Sequence, residues 1–460
     1  MTTQAVLDPC TARLLPWLVA VAFFMQTLDG TILNTALPVM AIDLGESPLR
    51  MHGVLIAYLI TVAILIPASG WMADRFGTRK TFYTAIMLFC FGSLLCTQVN
   101  TLDSLIIARV IQGLGGALMM PVGRLVVLRA YPRSDLVRVM SFVTFPGLVG
   151  QLMGPTLGGW LVEYASWRWI FAINLPIGLL GGYAAHKLMP DFRPAKRTRF
   201  DGVGFGLFGA FTVSVILGLQ QLSQDSMHAS GWFFGIAVSA LVLYWLHASR
   251  SQYPLFALSL FRLRSFSVGI SGSLMSRLGS GAMPFLTPLM MQVGLGHSPS
   301  VAGMSMIPLT LSGMATKPFI SGVIRRFGYR SVLCCNTLAQ GALICGMALV
   351  GSETSLWLVI ALLSLIGVAN YIQFTAMGTV TLIELNDHQA SGGTSLMSVI
   401  TQLSTGLAVS IAGALLVVFN PGEGVLAQSS VMDVFSMAYL CLGALTIMST
   451  LLFLRLPRKV

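Results

Sequence analysis

The sequence predicts an all-α integral membrane protein with about fourteen transmembrane helices. Three observations carry this prediction: the composition, the spacing of the apolar runs and the distribution of the cationic residues. Of the 460 residues, 55% are hydrophobic and only 9% are charged, whereas soluble domains carry roughly 25% charged residues. We therefore expect most of the protein surface to face lipid.

Apolar runs of about 20 residues follow one another along the chain, and each is long enough for one helical span of a bilayer. The first six cover about 14–36, 52–73, 81–98, 104–128, 138–162 and 168–188. The basic stretch KLMPDFRPAKRTRFD follows them. Eight more runs cover about 202–221, 231–249, 266–292, 300–323, 331–350, 355–380, 392–418 and 433–455.

The cationic side chains lie almost entirely on one side of the predicted spans. One alternating set of connections holds 22 of the 27 lysines and arginines, whereas the opposite set holds only Arg50 and Arg168. Because positively charged loops stay in the cytoplasm, both termini are predicted to be cytoplasmic, which requires an even number of spans. The net charge of +11 therefore follows from topology, and nucleic acid is not expected as a partner.

Two segments that lie 251 residues apart are similar: IPASGWMADRFGTR at 66–79 and KPFISGVIRRFGYR at 317–330. Each places a glycine and several cations after the second span of a group of six, where glycine tolerates a turn and the cations stay in water. Repeated halves with a binding site between them are the usual build of secondary transporters. The repeat therefore predicts two related halves.

Charged residues inside the spans are the strongest candidates for function. Taking 1.5 Å per residue, Asp29 lies about 22 Å from one end of its span and Arg109 about 9 Å from the opposite end of its own, so in a core of about 30 Å they share a level. Either Asp29 takes up and releases a proton as Arg109 or water moves, or the two form a permanent salt bridge that fixes helix packing.

Four motifs resemble those of the major facilitator superfamily, and in particular of its fourteen-span drug:proton antiporter branch. They are LDGTILNTALP at 28–38, GWMADRFGTRK at 70–80, RVIQGLGGA at 109–117 and GLVGQLMGPTLGG at 147–159. The resemblance implies two six-helix bundles of the major facilitator fold plus two extra central helices. The bundles are expected at residues 1–189 and 266–460, with a basic cytoplasmic linker and the extra helices at 190–265.

The resemblance also implies proton-coupled export of small amphipathic compounds, drugs or toxic metabolites, across the bacterial inner membrane. The proton-coupling residues are then Asp29 and Arg109. The loop motif implies a cytoplasmic gate made of Gly70, Asp74, Arg75, Gly77 and Arg79, although topology anchoring is the stronger interpretation for Arg79. The fifth-span motif implies a hinge or sealing face made of Gly150, Gly154, Pro155 and Gly158, whereas the glycines alone also fit a face that only packs against another helix.

The substrate cavity is expected to include polar and adaptable apolar side chains. Its candidates are Asn34, Gln112, Met120, Arg277 and Phe285. For Asn34 an interhelical hydrogen bond is the stronger interpretation. Arg277 lies too deep in the ninth span to reach the interface, and together with Arg109 it favours neutral, zwitterionic or anionic solutes over dications. A dedicated exporter of one such metabolite, for example a siderophore, therefore stays an alternative.

The expected partners are a small solute, protons and the lipid bilayer, with the proton gradient in place of a cofactor and the monomer as the functional unit. The seven cysteines show no C-x-x-C spacing and the six histidines no H-E-x-x-H motif, so neither a metal site nor an intramembrane enzyme is expected. No connection is long enough for a soluble signalling domain.

Overall fold

The computed structural model describes residues 8–193, 199–222, 227–351, 353–385, 387–419 and 428–456. Helices make up nearly all of these residues. The first half of the chain contains α1 (Pro9–Ile32), α2 (Leu37–Leu44), α3 (His52–Phe76), α4 (Thr78–Gln98), α5 (Leu102–Ala130), α6 (Arg133–Tyr164), α7 (Arg168–Ala172) and α8 (Asn174–Leu188). The inserted pair is α9 (Gly202–Leu222) and α10 (Met227–Arg250). The second half contains α11 (Arg264–Ser280), α12 (Met283–Leu289), α13 (Pro299–Met304), α14 (Ile307–Gly346), α15 (Leu356–Leu382), α16 (Asp387–Val418) and α17 (Gln428–Phe453).

The helices make fourteen passes, as the sequence predicted. Among the described residues, 10 helical segments are long and apolar enough to cross a membrane by themselves. One of them, Pro299–Leu349, forms two passes because Gly328 interrupts its helical backbone. The three further passes are α6, α7 with α8, and α11 with α12.

Two glycines at corresponding places in the two halves produce the same break in the backbone. Gly77 ends α3 with φ 93°, and Gly328 divides α14 with φ 75°. Glycine adopts these left-handed angles without the steric cost that a Cβ imposes. The sequence repeat is therefore also a repeat of backbone geometry, and it places the two halves in the same helical order.

The hydrophobic core is shared by the two halves at one end of the bundle and divided at the other. At the end opposite Asp8 and Leu456, one cluster combines buried residues of both halves, among them Ile32, Met51, Met290 and Tyr439. Toward the end that carries Asp8 and Leu456, the buried residues of each half form clusters of their own. We call the first the closed end and the second the open end.

Close backbone contacts hold the halves together at the closed end. A Cβ on Gly159 would lie 2.3 Å from the Pro299 carbonyl oxygen, and one on Gly303 would lie 2.2 Å from that of Pro155. The Glu163 carboxylate accepts a 3.0 Å hydrogen bond from the Ser300 backbone N–H. Glycine thus allows α6 and α13 to approach at van der Waals distance, as in other membrane helix pairs.

The inserted helices lie at the outside of the bundle, although they are central in the sequence. Helix α9 packs against α10 and also contacts α3 and α16. Helix α10 exposes large apolar side chains, among them Trp232, Val238 and Trp245. These exposed side chains suit a lipid-facing surface, because only lipid can cover them at no cost.

Candidate functional site

A charged cluster joins α1 to α5 in the interior of the first half. Arg109 Nη1 donates a hydrogen bond of 2.8 Å to Asp29 Oδ2. Both side chains are at most 1% exposed. Their pairing confirms that the two residues share a level in the bundle, as the helix rise predicted.

Neutral amides complete the surroundings of the carboxylate. Gln112 Nε2 donates to Asp29 Oδ1 at 2.8 Å, and Asn174 Nδ2 donates to the same oxygen at 3.0 Å. Gln112 Nε2 also donates to Ser93 Oγ at 2.8 Å, while Gln112 Oε1 accepts from Arg109. Asp29 therefore receives three hydrogen bonds from side chains of two helices, α5 and α8.

Aromatic rings seal the cationic side of the cluster. The Arg109 guanidinium lies 4.4 Å from the centroid of the Tyr58 ring and 5.8 Å from that of Phe171. Arg109 Nε has no hydrogen-bond partner among the described residues. In this conformation the ion pair is thus isolated from the space between the halves, and its charges balance each other locally.

The sequence predicts only part of this cluster. Gln112 was predicted to line the substrate cavity, but it is 0% exposed and belongs to the ion-pair cluster. Ser93 and Asn174 were not predicted at all. The sequence signal for Asn174 is an amide inside the apolar stretch FAINLPIG at 171–178. Which way this amide points depends on how the helix packs, and the apolar pattern does not reveal that packing.

The proposed gate residues lie at the open end of the first half. Asp74 Oδ1 accepts a 2.8 Å hydrogen bond from Arg129 Nη2 at the end of α5. Arg75 is exposed, and a Cβ on Gly70 would meet nothing within 4 Å. The predicted charge pair of Asp74 with a neighbouring helix end is present, and it lies within one half.

Gly77 and Arg79 join this turn to the exit of α8. Arg79 Nε donates to the Met189 carbonyl oxygen at 2.5 Å, and the Arg79 backbone N–H donates to Asp191 at 3.3 Å. Thr78 Oγ1 donates to the Pro190 carbonyl oxygen at 2.9 Å. Arg79 therefore holds a specific contact in addition to any effect on topology.

Replacing Gly77 with alanine is expected to lower the free energy of unfolding by about 1–3 kcal/mol, the cost of a side chain in a strained backbone region. The added Cβ would also lie 2.2 Å from Asp191 Oδ1. Thermal unfolding of the purified protein measures the change. Gly322→Ala is the control, because a Cβ there meets nothing within 4 Å; equal melting temperatures for the two variants would contradict the prediction.

The glycines of the fifth pass form a contact surface for α1. A Cβ on Gly150 would lie 2.8 Å from Thr27 Oγ1, and one on Gly158 would lie 2.2 Å from the Ile32 carbonyl oxygen. A Cβ on Gly154 would meet Thr31 Oγ1 at 2.0 Å. Pro155, within the same face, offers its carbonyl oxygen to Thr35 Oγ1 at 3.1 Å. The contacts describe a packing face between α6 and the first pass, and its role as a hinge or a sealing face stays a prediction.

Three of the residues predicted to line the cavity lie in the core of the closed end or in the ion-pair cluster. Phe285 is 1% exposed and belongs to the shared core of the closed end. Asn34 is also buried there, and its amide donates at 3.2 Å to the Thr31 carbonyl oxygen; among the described residues it forms no interhelical hydrogen bond. The third is Gln112, described above. The closed end excludes both Phe285 and Asn34 from an open cavity in this conformation.

The helices α1, α5, α11 and α15 flank the gap between the halves. The halves touch along two seams, α3 with α16 and α6 with α13 and α14. Helices α1 and α5 connect α6 to α3 on one side, and α11 and α15 connect α16 to α14 on the other. The clusters of buried residues on either side of this region are joined at the closed end and divided at the open end.

Met120 and Arg277 lie on two of these helices. Met120, on α5, is partly buried, with its sulfur 3.8 Å from Arg124 Nη2. Arg277, on α11, is partly buried, with its guanidinium carbon 5.0 Å from the centroid of the Phe374 ring. That these two residues line the substrate cavity stays a prediction.

A separate cavity of about 510 Å³ lies at the outside of the first half. It is lined by α3, α5 and α9 and by Ser410 of α16, and the lining is largely apolar, with Ile56, Ile60, Val110 and Leu217 among its residues. None of the predicted site residues lines it. The inserted helix α9 therefore covers a lateral crevice that is distinct from the gap between the halves.

Comparison with protein families places these features in a known group. The family model described as Major Facilitator Superfamily matches residues 19–290. The protein called MdtD, named for multidrug resistance, from Pectobacterium atrosepticum is 46% identical over 452 residues, which cover 98% of this chain and 97% of that protein. The proteins of the same name from Klebsiella pneumoniae and Escherichia coli are 47% and 45% identical, each with 98% of this chain and 96% of the relative covered.

Solved structures of similar shape share the fold at low sequence identity. The POT family transporter PepTSo has a TM-score of 0.72 at 14% identity, with 96% of this chain and 97% of that chain covered. The nucleoside transporter NupG has a TM-score of 0.64 at 14% identity, with 96% and 99% covered. At this identity the likeness supports the helical architecture alone.

Proposed function

Because the chain belongs to the major facilitator superfamily, and is a multi-pass membrane transporter and not an enzyme, we propose that it exports small amphipathic compounds by proton antiport. The compounds would be drugs or toxic metabolites, in keeping with the multidrug-resistance name of the relatives. The membrane would be the bacterial inner membrane, and the mechanism alternating access of one central site. The monomer would be the functional unit.

The observation that carries this proposal is the asymmetry between the two ends of the bundle. The halves share one core at the closed end and have separate cores at the open end. A solute site between the halves is thus accessible from one side only. Alternating access needs two such states, in which rocking of the halves exchanges the closed and open ends.

The open end would be cytoplasmic. It carries the cation-rich set of connections and the described chain ends near Asp8 and Leu456, and cations concentrate on the cytoplasmic side of membrane proteins. The structure then corresponds to a state that loads solute from the cytoplasm. In the alternate state, the loop motif around Asp74 and Arg75 would approach the second half and seal this side.

The proton would bind at Asp29 when the present closed end opens. In the structure, Asp29 is hydrogen-bonded to Arg109, Gln112 and Asn174 and sealed from solvent. Opening the closed end would separate the first pass from the second half, which it now contacts through Thr35 and Gln292 at 2.9 Å. Water from the outside would then reach the cluster, and protonation of Asp29 would release Arg109 from its counter-ion.

Asp43, a carboxylate at the closed end, is the alternative candidate for the proton-binding residue. It accepts hydrogen bonds of 2.8 Å from Trp167 and Arg168. These bonds lower the pKa of Asp43 below its ordinary value, so it stays ionised at the pH of either compartment. Asp43 therefore has the features of a structural anchor, whereas Asp29 changes its surroundings when the transporter changes state.

The test is proton flux in liposomes that contain the reconstituted protein and a pH-sensitive dye. With a panel of cationic, zwitterionic and anionic solutes outside, wild type is expected to show solute-dependent proton movement. Asp29→Asn is expected to abolish it while solute exchange without a gradient persists, because an amide cannot release a proton. Asp43→Asn, the control, is expected to retain coupling.

Retention of full coupling in Asp29→Asn would show that Asp29 is a structural ion-pair partner and would overturn the proposed role. Since this variant leaves Arg109 buried without a counter-ion, a second variant, Asp29→Asn with Arg109→Gln, removes both charges and keeps the amide hydrogen bonds. Coupling in this double variant would contradict the proposal in the same way. Melting temperatures establish that each variant is folded.

A further inference from the structure

We infer that the cavity between the halves binds small organic anions through two arginines, Arg124 and Arg277. The inference deepens the proposed function by naming the substrate class, and it rests on that function only for the statement that this cavity is the solute site. The ligand would carry carboxylate or phosphate groups. Both arginines lie inside spans, where an ionisable side chain that is not neutralised marks a functional site.

Arg277 is the cation that the second half would contribute to this site. Its guanidinium is stacked over Phe374 at 5.0 Å. No described Asp or Glu lies within salt-bridge distance of Arg277. Phe374 itself is 50% exposed, so the pair lies at the surface of the second half and not in its core.

Arg124 is the corresponding cation of the first half, although its ring partner Phe23 is buried, at 1% exposed. Sequence counting placed it among the loop cations, but it lies within α5, about 9 Å before the end of that helix at Ala130. Its guanidinium is 5.7 Å from the Phe23 ring centroid, and its hydrogen bond at 3.8 Å goes to the sulfur of Met120. Across the described part of the chain, no carboxylate forms a salt bridge with it.

The two arginine and phenylalanine pairs occupy corresponding places in the repeat. With the offset of 251 residues, Arg124 on α5 aligns with Thr375, beside Phe374 on α15. Arg277 on α11 aligns with Gln26, one turn from Phe23 on α1. In each half, the pair thus joins the first pass to the fourth. The arginine is on the fourth pass in the first half and on the first pass in the second half, and the phenylalanine is on the other pass of the two.

The two guanidiniums would face the same space at similar depth. Their pairs lie on α1, α5, α11 and α15, the helices between the two seams. The Cα of Arg277 lies about 20 Å from the start of α11, deeper than that of Arg124, but helical side chains point toward the N-terminus of their helix. Because α5 and α11 run in opposite directions, the guanidinium of Arg277 reaches toward the open end and that of Arg124 reaches inward. The two guanidiniums therefore lie at more similar depths than the two Cα atoms do.

Stacking on an aromatic ring leaves a guanidinium ready for an oxyanion. The ring covers the face of the guanidinium, whereas its five N–H donors point outward in the plane. These donors match carboxylate and phosphate groups in a two-pronged geometry. Arg109 cannot play this part, because Asp29 neutralises it inside the first half, so the positive potential of the cavity comes from Arg124 and Arg277.

One anion that touches both arginines would connect the two halves. Each arginine belongs to one half, so an anion with two or more charged groups would draw the rims of the open end together. The anion would therefore bind more tightly when the rims of the open end have come together than when they are apart. A transported solute needs such a difference in affinity between two conformations to shift the equilibrium between them. Organic cations would be repelled from the same site.

The test is equilibrium binding to the purified full-length protein in lipid nanodiscs, measured by titration calorimetry. The probes are propane-1,2,3-tricarboxylate, phenyl phosphate and, as the organic cation, tetraphenylphosphonium. The two anions distinguish carboxylate from phosphate recognition. We expect wild type to bind at least one anion more tightly than the cation, and Arg124→Gln and Arg277→Gln each to weaken that binding by about tenfold or more.

Arg138→Gln is the matched control, because it removes one exposed guanidinium from the open end of α6, and it is expected to leave anion affinity unchanged. Arg124→Lys and Arg277→Lys keep the charge and are expected to lose less affinity than the glutamine variants. Unchanged anion affinity in both glutamine variants, or binding of the cation in preference to both anions, would overturn the inference. Melting temperatures confirm folding, and the lysine variants serve if a glutamine variant does not fold.

The result is separable from the coupling experiment because equilibrium binding needs no proton gradient. If the arginine series behaves as expected while Asp29→Asn still couples protons, the role of Asp29 is wrong and the anion site stands. If coupling depends on Asp29 but neither anion binds, the anion site is wrong and proton-coupled export stands.

Discussion

Replacing Arg109 with methionine is expected to lower the free energy of unfolding by about 3–5 kcal/mol, because it leaves a buried carboxylate without its counter-ion. Asp29 and Arg109 are each 1% exposed, and methionine offers neither charge nor hydrogen bonds. Denaturation of the purified protein in mixed micelles measures the change. Among single substitutions in the first half, we expect few larger effects.

Arg50→Met is the control for this prediction. Arg50 forms a salt bridge of 3.1 Å with Glu46, but its side chain is 60% exposed. Exposed pairs of this kind contribute about 0–1 kcal/mol. Asp29→Leu combined with Arg109→Met is expected to recover much of the loss, because no charge stays unpaired. If Arg109→Met costs no more than Arg50→Met, the buried pair does not stabilise the fold.

Replacing Gly158 with alanine is expected to lower the free energy of unfolding by about 1–3 kcal/mol, the usual cost of overpacking a close contact. The new Cβ would lie 2.2 Å from the Ile32 carbonyl oxygen and 2.6 Å from Thr35 Oγ1. A backbone oxygen cannot rotate away as a side chain can, so α1 and α6 must separate. Thermal unfolding in detergent, with the rate of solute exchange as a second readout, measures the effect.

Gly30→Ala is the matched control on α1, the helix that Gly158 contacts. A Cβ on Gly30 meets nothing within 4 Å. Since glycine in a helix interior costs about 1 kcal/mol relative to alanine, this variant is expected to be neutral or slightly more stable. A Gly158→Ala protein as stable as Gly30→Ala would show that the glycine face of α6 is not a close-packed surface.

The amino-acid sequence by itself determined the number and the position of the passes. A membrane span is a local property, because each helix must satisfy its own backbone hydrogen bonds in lipid and must therefore be long and apolar. The same local reasoning located the turns at Gly77 and Gly328, whose left-handed φ angles suit glycine. Helix rise alone also brought Asp29 and Arg109 to one level, where the structure pairs them.

Only the tertiary structure decided which way the side chains of each span point. In a soluble protein the apolar face of a helix marks the core, but here lipid and core are equally apolar, so the pattern does not separate them. Phe285 therefore looked like a cavity residue and is core, whereas Gln112 looked like a ligand contact and holds Asp29. For the same reason Asn174, Ser93 and Arg124 acquired their partners only when the helices packed. The sequence thus fixes where each helix crosses, and the packing of helix on helix decides what each crossing presents to lipid, core or cavity.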